Sequence, residues 1–364
     1  MSGPRRGEGP PPHPVARPMS RRRPGGDLSA ELVLSSPRMA TALPAASAEL
    51  VAARAVLAAW SLSPPLALGA VTGGATHHVY RVECPEGVFF LRRYERPDPA
   101  LARREHAVIE HVARAGLPAP RALAARAGSS VVTRDGAVFA LYDAASGTQL
   151  PRAELGERQA AAAGEFLARL HRALAPLPDV GYVRWSLSWD ARAWCERLGV
   201  VERAPLLARP ELDETDRWAL ERVRKQREWL ADPRCAHQCT PVFAPQLTHG
   251  DYQDANLFFD AHGVSGVIDW DQAAFMPRAY ELARACGFMF RLEPELTALF
   301  VAAYRSVSPL GTDELWDGVR AWAAFSDHHV WPVEEVYLHG NDAARRYIPH
   351  APFRPFAEAW PLAD

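Results

Sequence analysis

Three polar residues follow one another at short, fixed intervals in the second half of the chain: Asp251, Asn256 five residues later, and Asp269 thirteen residues after that. The intervening residues read as two short strands joined by a turn, which would bring Asn256 and Asp269 to neighbouring strand ends. An amide oxygen and a carboxylate in that arrangement are hard ligands of the kind that Mg²⁺ prefers. Asp251 would lie across the same loop, where it can orient a hydroxyl group and accept its proton late in the reaction. The pattern therefore predicts phosphoryl transfer from a metal-bound nucleotide.

The overall composition limits the alternatives. The chain has 364 residues, 48% of them hydrophobic, and a net charge of −2. This size allows one large or two ordinary domains with a substantial core, and the charge argues against a broad nucleic-acid-binding surface. No apolar run is long enough to span a bilayer, so neither nucleic acid nor a membrane is expected as a partner. The five cysteines form no regular framework, which predicts reduced thiols in a cytoplasmic protein.

A group of potential metal ligands, Cys235, His237 and Cys239, lies between Pro233 and Pro245. A structural zinc site favours Cys-x-x-Cys pairs, which this segment lacks. A surface loop is therefore the simpler interpretation, with zinc as the alternative.

The first 45 residues differ from the rest of the chain. They hold nine prolines and seven arginines but only three acidic residues. Such a segment buries little apolar surface, so residues 1–45 are predicted to be a disordered tail. The tail lacks the continuous apolar core of a secretory signal. A transit peptide, a basic contact tail and a true start at Met39 are the open interpretations.

The remaining chain changes from strand signals to helix signals part-way along. Residues 46–142 contain several strands, among them Val88–Tyr94 and a hairpin that turns at Asp135-Gly136. After a connector at residues 143–150, the pattern is mostly helical. We therefore predict an α+β protein with a small antiparallel β-sheet lobe that binds nucleotide, a hinge, and a larger helical lobe for catalysis and substrate over residues 151–364.

One helix of the first lobe carries a carboxylate on its apolar face. In the helix predicted over residues 101–115, Leu101, Val108 and Val112 form the apolar stripe, and Glu105 falls on it. A carboxylate that faces inward is costly unless it is paired. Glu105 should therefore have a cationic partner.

These motifs resemble those of the aminoglycoside phosphotransferase family, the kinase-like group that also includes choline and homoserine kinases. The family's loop reads His-Gly-Asp, then Asn, then Ile-Asp on the next strand, and here these are residues 249–251, Asn256 and Ile268-Asp269. The helix that ends in Leu170-His171 is also similar to a family element, and the resemblance covers about residues 66–290. It implies a two-lobed protein-kinase-like fold and an enzyme that moves the γ-phosphate of ATP, with GTP as the alternative, to a hydroxyl of a small molecule.

The resemblance also implies roles for individual residues. Asp251 is the expected catalytic base, and Asn256 and Asp269 are the expected Mg²⁺ ligands. Gly73 and Gly74 stand between two strands near the start of the small lobe. They are expected in the loop over the nucleotide phosphates.

The third strand departs from the protein-kinase pattern, which places a lysine there and pairs it with a helix glutamate. This chain has arginine at positions 92 and 93. Strand alternation puts Arg92 on one face with Phe90, so Phe90 can cover the adenine while Arg92 reaches the phosphates, with Glu105 as its partner. Arg93 takes this place if the register slips by one residue.

Four further residues are expected to support the site. His249 is predicted to brace the catalytic loop, and His171 to pack within its helix. Asp271 either supports the metal loop from outside the ligand set or caps the following segment. Glu281 stands where the family usually has aspartate and is expected to hold the catalytic loop in place.

The acceptor is expected to be a small hydroxyl compound bound in the helical lobe, similar to an aminoglycoside, choline or homoserine. Residues 271–364 include thirteen acidic and eight basic residues, but the acids are scattered, whereas a polycation would favour clustered carboxylates. Four aromatic residues offer either a wall for a choline-like cation or core packing. They are Trp322, Trp331, Tyr337 and Trp360.

Two other functions stay open at this stage. Arginine at position 92 also fits a nucleotide-binding pseudokinase that acts as a partner-binding module, although Asp251, Asn256 and Asp269 weigh against it. A protein kinase is the second alternative, but the stretch of residues 271–280 is too short for a long activation segment that docks peptides. Neither the identity of the acceptor nor the oligomeric state is predicted.

Overall fold

The computed structural model describes residues 45–71, 78–179, 181–184, 191–208, 211–235 and 241–362. Three predictions therefore lie outside the described residues: the tail up to residue 44, the loop of Gly73 and Gly74, and the segment with His237 and Cys239. Across the described part of the chain, no helix combines the length and the apolar character needed to cross a membrane.

The N-terminal lobe is built on an antiparallel sheet. Its elements, in chain order, are α1 (Ala45–Val56), β1 (Ala67–Ala70), β2 (His78–Cys84), β3 (Gly87–Tyr94), α2 (Pro99–Arg114), β4 (Val132–Arg134) and β5 (Ala137–Asp143). The five strands lie in the order β1-β2-β3-β5-β4. The predicted hairpin between β4 and β5 turns at Asp135 and Gly136, which have φ angles of 49° and 75°. Positive φ at both central residues is the geometry of a tight two-residue hairpin turn.

Helix α2 joins the small lobe to the large one. It begins at Asp98, whose side chain accepts hydrogen bonds from the backbone nitrogens of Ala100 and Leu101, so it has a typical N-cap. Its buried residues Val108 and Val112 belong to the same apolar core as the large lobe. The predicted lobe limits (46–142, 143–150 and 151–364) stay predictions, since the core crosses between the lobes at this helix.

The C-terminal lobe is mainly helical. Its elements are α3 (Glu157–Leu174), β6 (Val183–Arg184), α4 (Ala191–Ala208), α5 (Glu214–Leu230), β7 (Gln246–Thr248), β8 (Leu257–Asp260), β9 (Gly263–Val267), β10 (Ala274–Met276), α6 (Arg278–Phe290), α7 (Pro294–Val307), α8 (Thr312–Ser326), α9 (Trp331–Tyr337) and α10 (Phe356–Ala359). Helix α3 packs on α7, and α6 packs on α8. Gly164 permits the first of these contacts, because a Cβ atom there would lie 2.2 Å from the carbonyl oxygen of Phe300.

Two short strand pairs carry the polar motif. Strands β8 and β9 form an antiparallel hairpin in which Leu257 faces Val267, and the backbone nitrogen of Ile268 donates to the carbonyl oxygen of Asn256 at 3.0 Å. The predicted arrangement of two strands joined by a turn is therefore confirmed. Strand β7 pairs with β10, so the loop after Thr248 begins beside the segment that follows β9.

Most of the aromatic residues considered for an acceptor wall serve the core. Trp322 and Trp360 are buried in the core of the large lobe, and Tyr337 packs against a second apolar cluster between α4, α5 and α9. Trp331 is exposed and lies 5.7 Å from the ring of Tyr347. Core packing is thus the correct interpretation for Trp322 and Trp360.

Candidate active site

A sharp turn after β7 places Asp251. Gly250 has a φ angle of +82°, and a Cβ atom there would lie 1.9 Å from the carbonyl oxygen of Gln272. Glycine is the residue that satisfies both constraints, since it tolerates positive φ and has no Cβ. The turn is therefore tied to the backbone that follows Asp269.

We expect Gly250→Ala to lower the free energy of unfolding by about 2–4 kcal/mol and to remove most activity, because the backbone must move away from Gln272 and carry Asp251 with it. Gly116→Ala is the matched control. Gly116 has a φ angle of +78°, but nothing lies within 4 Å of an added Cβ, so it isolates the conformational cost of about 1–2 kcal/mol. Chemical denaturation measures both variants, and equal losses would show that the contact with Gln272 is no constraint.

Behind the loop, the fully buried Glu281 of α6 holds the backbone in place. Its carboxylate accepts hydrogen bonds from the backbone nitrogens of His249 (3.3 Å) and Gly250 and from Nε2 of His171 (2.8 Å). Nδ1 of His171 lies 2.8 Å from the hydroxyl of Tyr304. Burial alone would raise the pKa of Glu281, but the hydrogen bond and charge of His171, followed by His249, lower it. Glu281 is the expected anchor of the loop, and His171 belongs to the same buried chain of contacts.

His249 ties the loop to the end of β9. Its buried ring has Nε2 2.9 Å from the carbonyl oxygen of Ile268, and Nδ1 accepts from the backbone nitrogen of Asp251 at 3.2 Å. The ring also packs on Trp270, with 4.6 Å between centroids. Both ring nitrogens are engaged with backbone, so the geometry is that of a brace, as the sequence indicates.

The carboxylate of Asp251 is held from two sides. Its Oδ2 accepts hydrogen bonds from Nε2 of Gln253 and Nδ2 of Asn256, both at 2.8 Å, and its Oδ1 contacts Nη2 of Arg284 on α6. Sequence reasoning brought Asp251 and Asn256 together but missed Gln253 and Arg284. A signal for Arg284 was present, because it follows Glu281 by three residues and so lies on the neighbouring face of the same helix.

Asn256 precedes β8 and Asp269 follows β9, so both lie at the open end of the β8–β9 hairpin, beside the loop that carries Asp251. The amide nitrogen of Asn256 is committed to Asp251, so its amide oxygen is the atom that can bind a cation. Asp269 has a left-handed backbone, with a φ angle of 66°. Burial, and then the neighbouring charge of Asp271, raise the pKa of Asp269 even though Arg92 opposes the shift. The carboxylates of Asp269 and Asp271 thus both lie within 4 Å of the guanidinium of Arg92.

Within the described ranges, no group of three or more His, Cys, Asp or Glu side chains is placed to hold a metal ion. The two oxygen donors of Asn256 and Asp269 would need further ligands. Mg²⁺ commonly takes one or two protein ligands together with phosphate oxygens and water. The pair therefore fits a cation that arrives with a nucleotide.

Arg92 connects the two lobes at the site. Its Nη1 lies 2.9 Å from Oε1 of Glu105, and its Nη2 lies 3.1 Å from Oδ1 of Asp269 and 3.7 Å from Oδ2 of Asp271. The hydroxyl of Tyr94 donates to the other oxygen of Glu105 at 3.0 Å. The predicted cationic partner of the inward Glu105 is thus confirmed.

Arg93 takes a different direction from Arg92. It lies 3.6 Å from Glu49 of α1, and both side chains are 40% exposed.

The charge of Arg92 is set by its buried partners. Burial disfavours the charged form of Arg92, but the negative charges of Glu105 and then Asp269 outweigh it, so the pKa of Arg92 rises above its already high value. Arg92 is therefore the permanent cation that faces the site.

Glu105→Gln should lower the free energy of unfolding by about 2–4 kcal/mol and raise KM for the nucleotide, because Arg92 loses its buried counter-charge and its fixed position. Glu110→Gln, in the same helix, provides the control. Glu110 pairs with Arg114 at 3.1 Å in an exposed i,i+4 bridge, which is worth about 0.3–0.5 kcal/mol. Denaturant titrations measure the unfolding free energy of both variants, and kinetics measure their KM for the nucleotide. A loss of stability in Glu105→Gln no larger than that in Glu110→Gln would contradict the role of the buried pair.

Comparison with known proteins identifies relatives of the chain. A family model described as "Phosphotransferase enzyme family" matches residues 68–322. A homoserine kinase of Methylobacterium nodulans is 28% identical over 214 residues, which cover 57% of this chain and 61% of that enzyme. A homoserine kinase of Methylobacillus flagellatus is 24% identical over 314 residues, which cover 81% and 91%. The match thus spans less than two thirds of the first relative and most of the second.

Solved structures show the same architecture. A spectinomycin phosphotransferase in complex with ADP and spectinomycin has a TM-score of 0.59 at 12% identity, covering 85% of this chain and 96% of that one. An amicoumacin kinase in complex with AMP-PNP, Ca²⁺ and Ami has a TM-score of 0.58 at 14% identity, covering 84% of this chain and 96% of that one. At such identities the likeness concerns the fold alone. It confirms the two-lobed protein-kinase-like fold that the motifs imply.

Proposed function

Because the chain belongs to the phosphotransferase enzyme family, we propose that it is a kinase that transfers the γ-phosphate of ATP to a hydroxyl of a small molecule, with Mg²⁺ as the metal. One observation carries this proposal. Asp251, Asn256 and Asp269 meet at one edge of the large lobe, and Arg92 reaches the same place from the small lobe. That set supplies a base, oxygen ligands and a phosphate-binding cation, which phosphoryl transfer requires.

Asp251 is proposed as the general base. As the acceptor oxygen forms its new bond to phosphorus, the bond from phosphorus to the bridging oxygen breaks, its electron pair leaves with ADP, and the hydroxyl proton passes to Asp251. The amides of Gln253 and Asn256 hold Oδ2, so Oδ1, which contacts Nη2 of Arg284, is the atom proposed to take the proton. Glu281 and His249 keep the loop in a fixed position, which lowers the reorganisation needed at the moment of transfer.

We assign Asn256 and Asp269 to Mg²⁺. When bound, this ion neutralises charge on the transferring phosphoryl group and orients it. The donor set fits, since both residues offer hard oxygens, and the surplus of negative charge around Arg92 favours a cation. Arg92 would contact the phosphates, held in position by Glu105, and Gly73 and Gly74 are proposed to cover them.

Nucleotide titration tests the first half of this proposal. We expect the purified protein to bind ATP with Mg²⁺ at submillimolar concentration and to unfold at a higher temperature when it does, since a ligand that binds the folded state stabilises it. GTP titrated in parallel separates the two nucleotides. Failure to bind either nucleotide at millimolar concentration would contradict the proposal.

The acceptor is proposed to be a small hydroxyl compound. Relatives named homoserine kinase and neighbours named spectinomycin phosphotransferase and aminoglycoside phosphotransferase support that class without choosing between a hydroxy amino acid and an aminoglycoside-like acceptor. A choline-like acceptor is the third candidate from the sequence, but the burial of Trp322 and Trp360 in the core removes two members of the aromatic wall it would need.

A further inference from the structure

Arg284, which contacts the candidate base Asp251, packs against aromatic rings. The Arg284 side chain is only 12% exposed, and its guanidinium carbon lies 4.4 Å from the ring centre of Phe288 and 5.7 Å from that of Trp322. Nη1 is 3.5 Å from the carbonyl oxygen of Tyr252, and Nη2 contacts Oδ1 of Asp251. Arg284 thus places its guanidinium where an acceptor hydroxyl must approach the base.

The rings around Arg284 continue outward in one row. Trp322 stacks on Phe325 with 5.4 Å between centroids, and Phe325 stacks on His329 at 4.9 Å. His329 is exposed at the end of this row. We call Phe288, Trp322, Phe325 and His329 the aromatic row. These rings pack side by side from the guanidinium of Arg284 toward His329.

The charged side chains beside the aromatic row favour an anionic ligand over a cationic one. Glu334 is bound by Arg197, with Nη2 to Oε2 at 2.7 Å. Asp327 accepts from the indole of Trp229 at 3.0 Å. The carboxylates of Glu334 and Asp327 are therefore already engaged, while Arg284 presents a guanidinium.

We propose that Arg284 recognises the carboxylate of a hydroxycarboxylic acid acceptor, and that this contact releases Oδ1 of Asp251 to act as the base. The proposal rests on the kinase function proposed above. A guanidinium matches a carboxylate with two parallel hydrogen bonds, which are stronger than neutral ones. Without such an acceptor, Oδ1 stays paired with Arg284 and Oδ2 with the two amides, so neither oxygen is prepared to take a proton.

Because the acceptor's carboxylate must replace Asp251 on Arg284, turnover requires an acceptor that carries a carboxylate. A neutral diol of the same length would leave Asp251 tied to Arg284, and a polycation would meet the like charge of Arg284. The acceptor class is therefore a small hydroxycarboxylate, with or without an amino group, and a polycationic aminoglycoside is disfavoured.

The test compares Arg284→Gln with wild type on matched acceptors. L-homoserine and 4-hydroxybutyrate carry the carboxylate, 2-aminobutane-1,4-diol and 1,4-butanediol replace it with a hydroxymethyl group, and kanamycin represents polycations. Calorimetry measures acceptor binding to the full chain without nucleotide, and kinetics with ATP give kcat and KM separately. Arg320→Gln, an exposed position of α8, controls for loss of one positive charge. Arg284→Lys keeps the charge without the fork and covers the case in which the glutamine variant does not fold.

We expect wild type to favour the carboxylates over their diols at least tenfold in kcat/KM. In Arg284→Gln, carboxylate binding should weaken by about 10- to 100-fold, with the preference over diols falling toward one and the nucleotide KM unchanged. Arg284→Lys should be intermediate, and Arg320→Gln should match wild type. Equal losses for carboxylates and diols, or a wild-type preference for kanamycin, would overturn the proposal. If carboxylate binding depends on Arg284 but no phosphate is transferred, the recognition stands and the kinase function fails; if nothing binds and nothing is transferred, both fail.

Discussion

Asp251→Asn should lower kcat by about 10²- to 10⁴-fold, the range that positioned general bases contribute, while nucleotide affinity changes little. Asparagine keeps the shape of the side chain, so Gln253 and Asn256 still have an oxygen to contact. It cannot accept the hydroxyl proton, and it does not balance the charge of Arg284. Rates of phosphate transfer at saturating ATP, with the melting temperature as a folding check, measure this expectation.

Asp254→Asn is the matched control for that experiment. Asp254 stands in the same loop, and its carboxylate lies 3.4 Å from Nη2 of Arg152, away from the hydrogen bonds of Asp251. Its amide variant should keep the rate within about twofold, since such partly exposed pairs contribute little. A rate for Asp251→Asn within tenfold of wild type, beside a normal Asp254→Asn, would mean that Asp251 is not the base.

The second large effect is expected for Asp269→Asn. Loss of a carboxylate ligand removes several kcal/mol of charge stabilisation from the transferring group, so activity should fall by about 100-fold or more, since each 1.36 kcal/mol is tenfold in rate. The unfolding free energy should stay the same or rise. Burial and Asp271 already disfavour the charge on Asp269, and asparagine accepts a left-handed backbone well. Activity and stability should therefore move independently in this variant.

Metal titrations separate this explanation from a general loss of structure. Asp269→Asn should require a higher Mg²⁺ concentration for half-maximal activity, and Mg²⁺ should no longer raise the melting temperature in the presence of ATP. Asp271→Asn also removes one negative charge beside Arg92, since Oδ2 of Asp271 lies 3.7 Å from that guanidinium. It should have a clearly smaller effect on the Mg²⁺ requirement. An unchanged Mg²⁺ requirement in Asp269→Asn would argue that this residue does not hold the ion.

The parts of the site that could be predicted from the sequence rest on local spacing. The short distance from Asn256 to Asp269 permits one simple hairpin, and the structure has it. Glu105 on an apolar helix face required a cation, and a strand residue 13 positions earlier supplies it. In both cases a constraint within one short segment restricted which residues could pair: the short connection for the hairpin, and the cost of an unpaired buried carboxylate for Glu105.

Other features depend on contacts that no short segment reveals. Arg284 reaches Asp251 across 33 residues, and nothing near either residue specifies that pairing. Helix α4 continues through Gly199 to Ala208. Leu198 and Val201 are buried in the cluster with α5 and α9, and this packing outweighs the low helix propensity of Gly199. Long-range packing therefore decided what local propensity did not.

The measurement that bears most directly on the central claim is transfer of labelled γ-phosphate from ATP, by wild type and Asp251→Asn, to a panel of small hydroxyl compounds that includes hydroxycarboxylates, choline and aminoglycosides. The expected result is Mg²⁺-dependent label on the hydroxyl of a small acceptor with wild type and a loss of at least 100-fold with Asp251→Asn. Nucleotide binding without transfer to any acceptor, label found only on proteins of an added lysate, or equal transfer by the two proteins would contradict it.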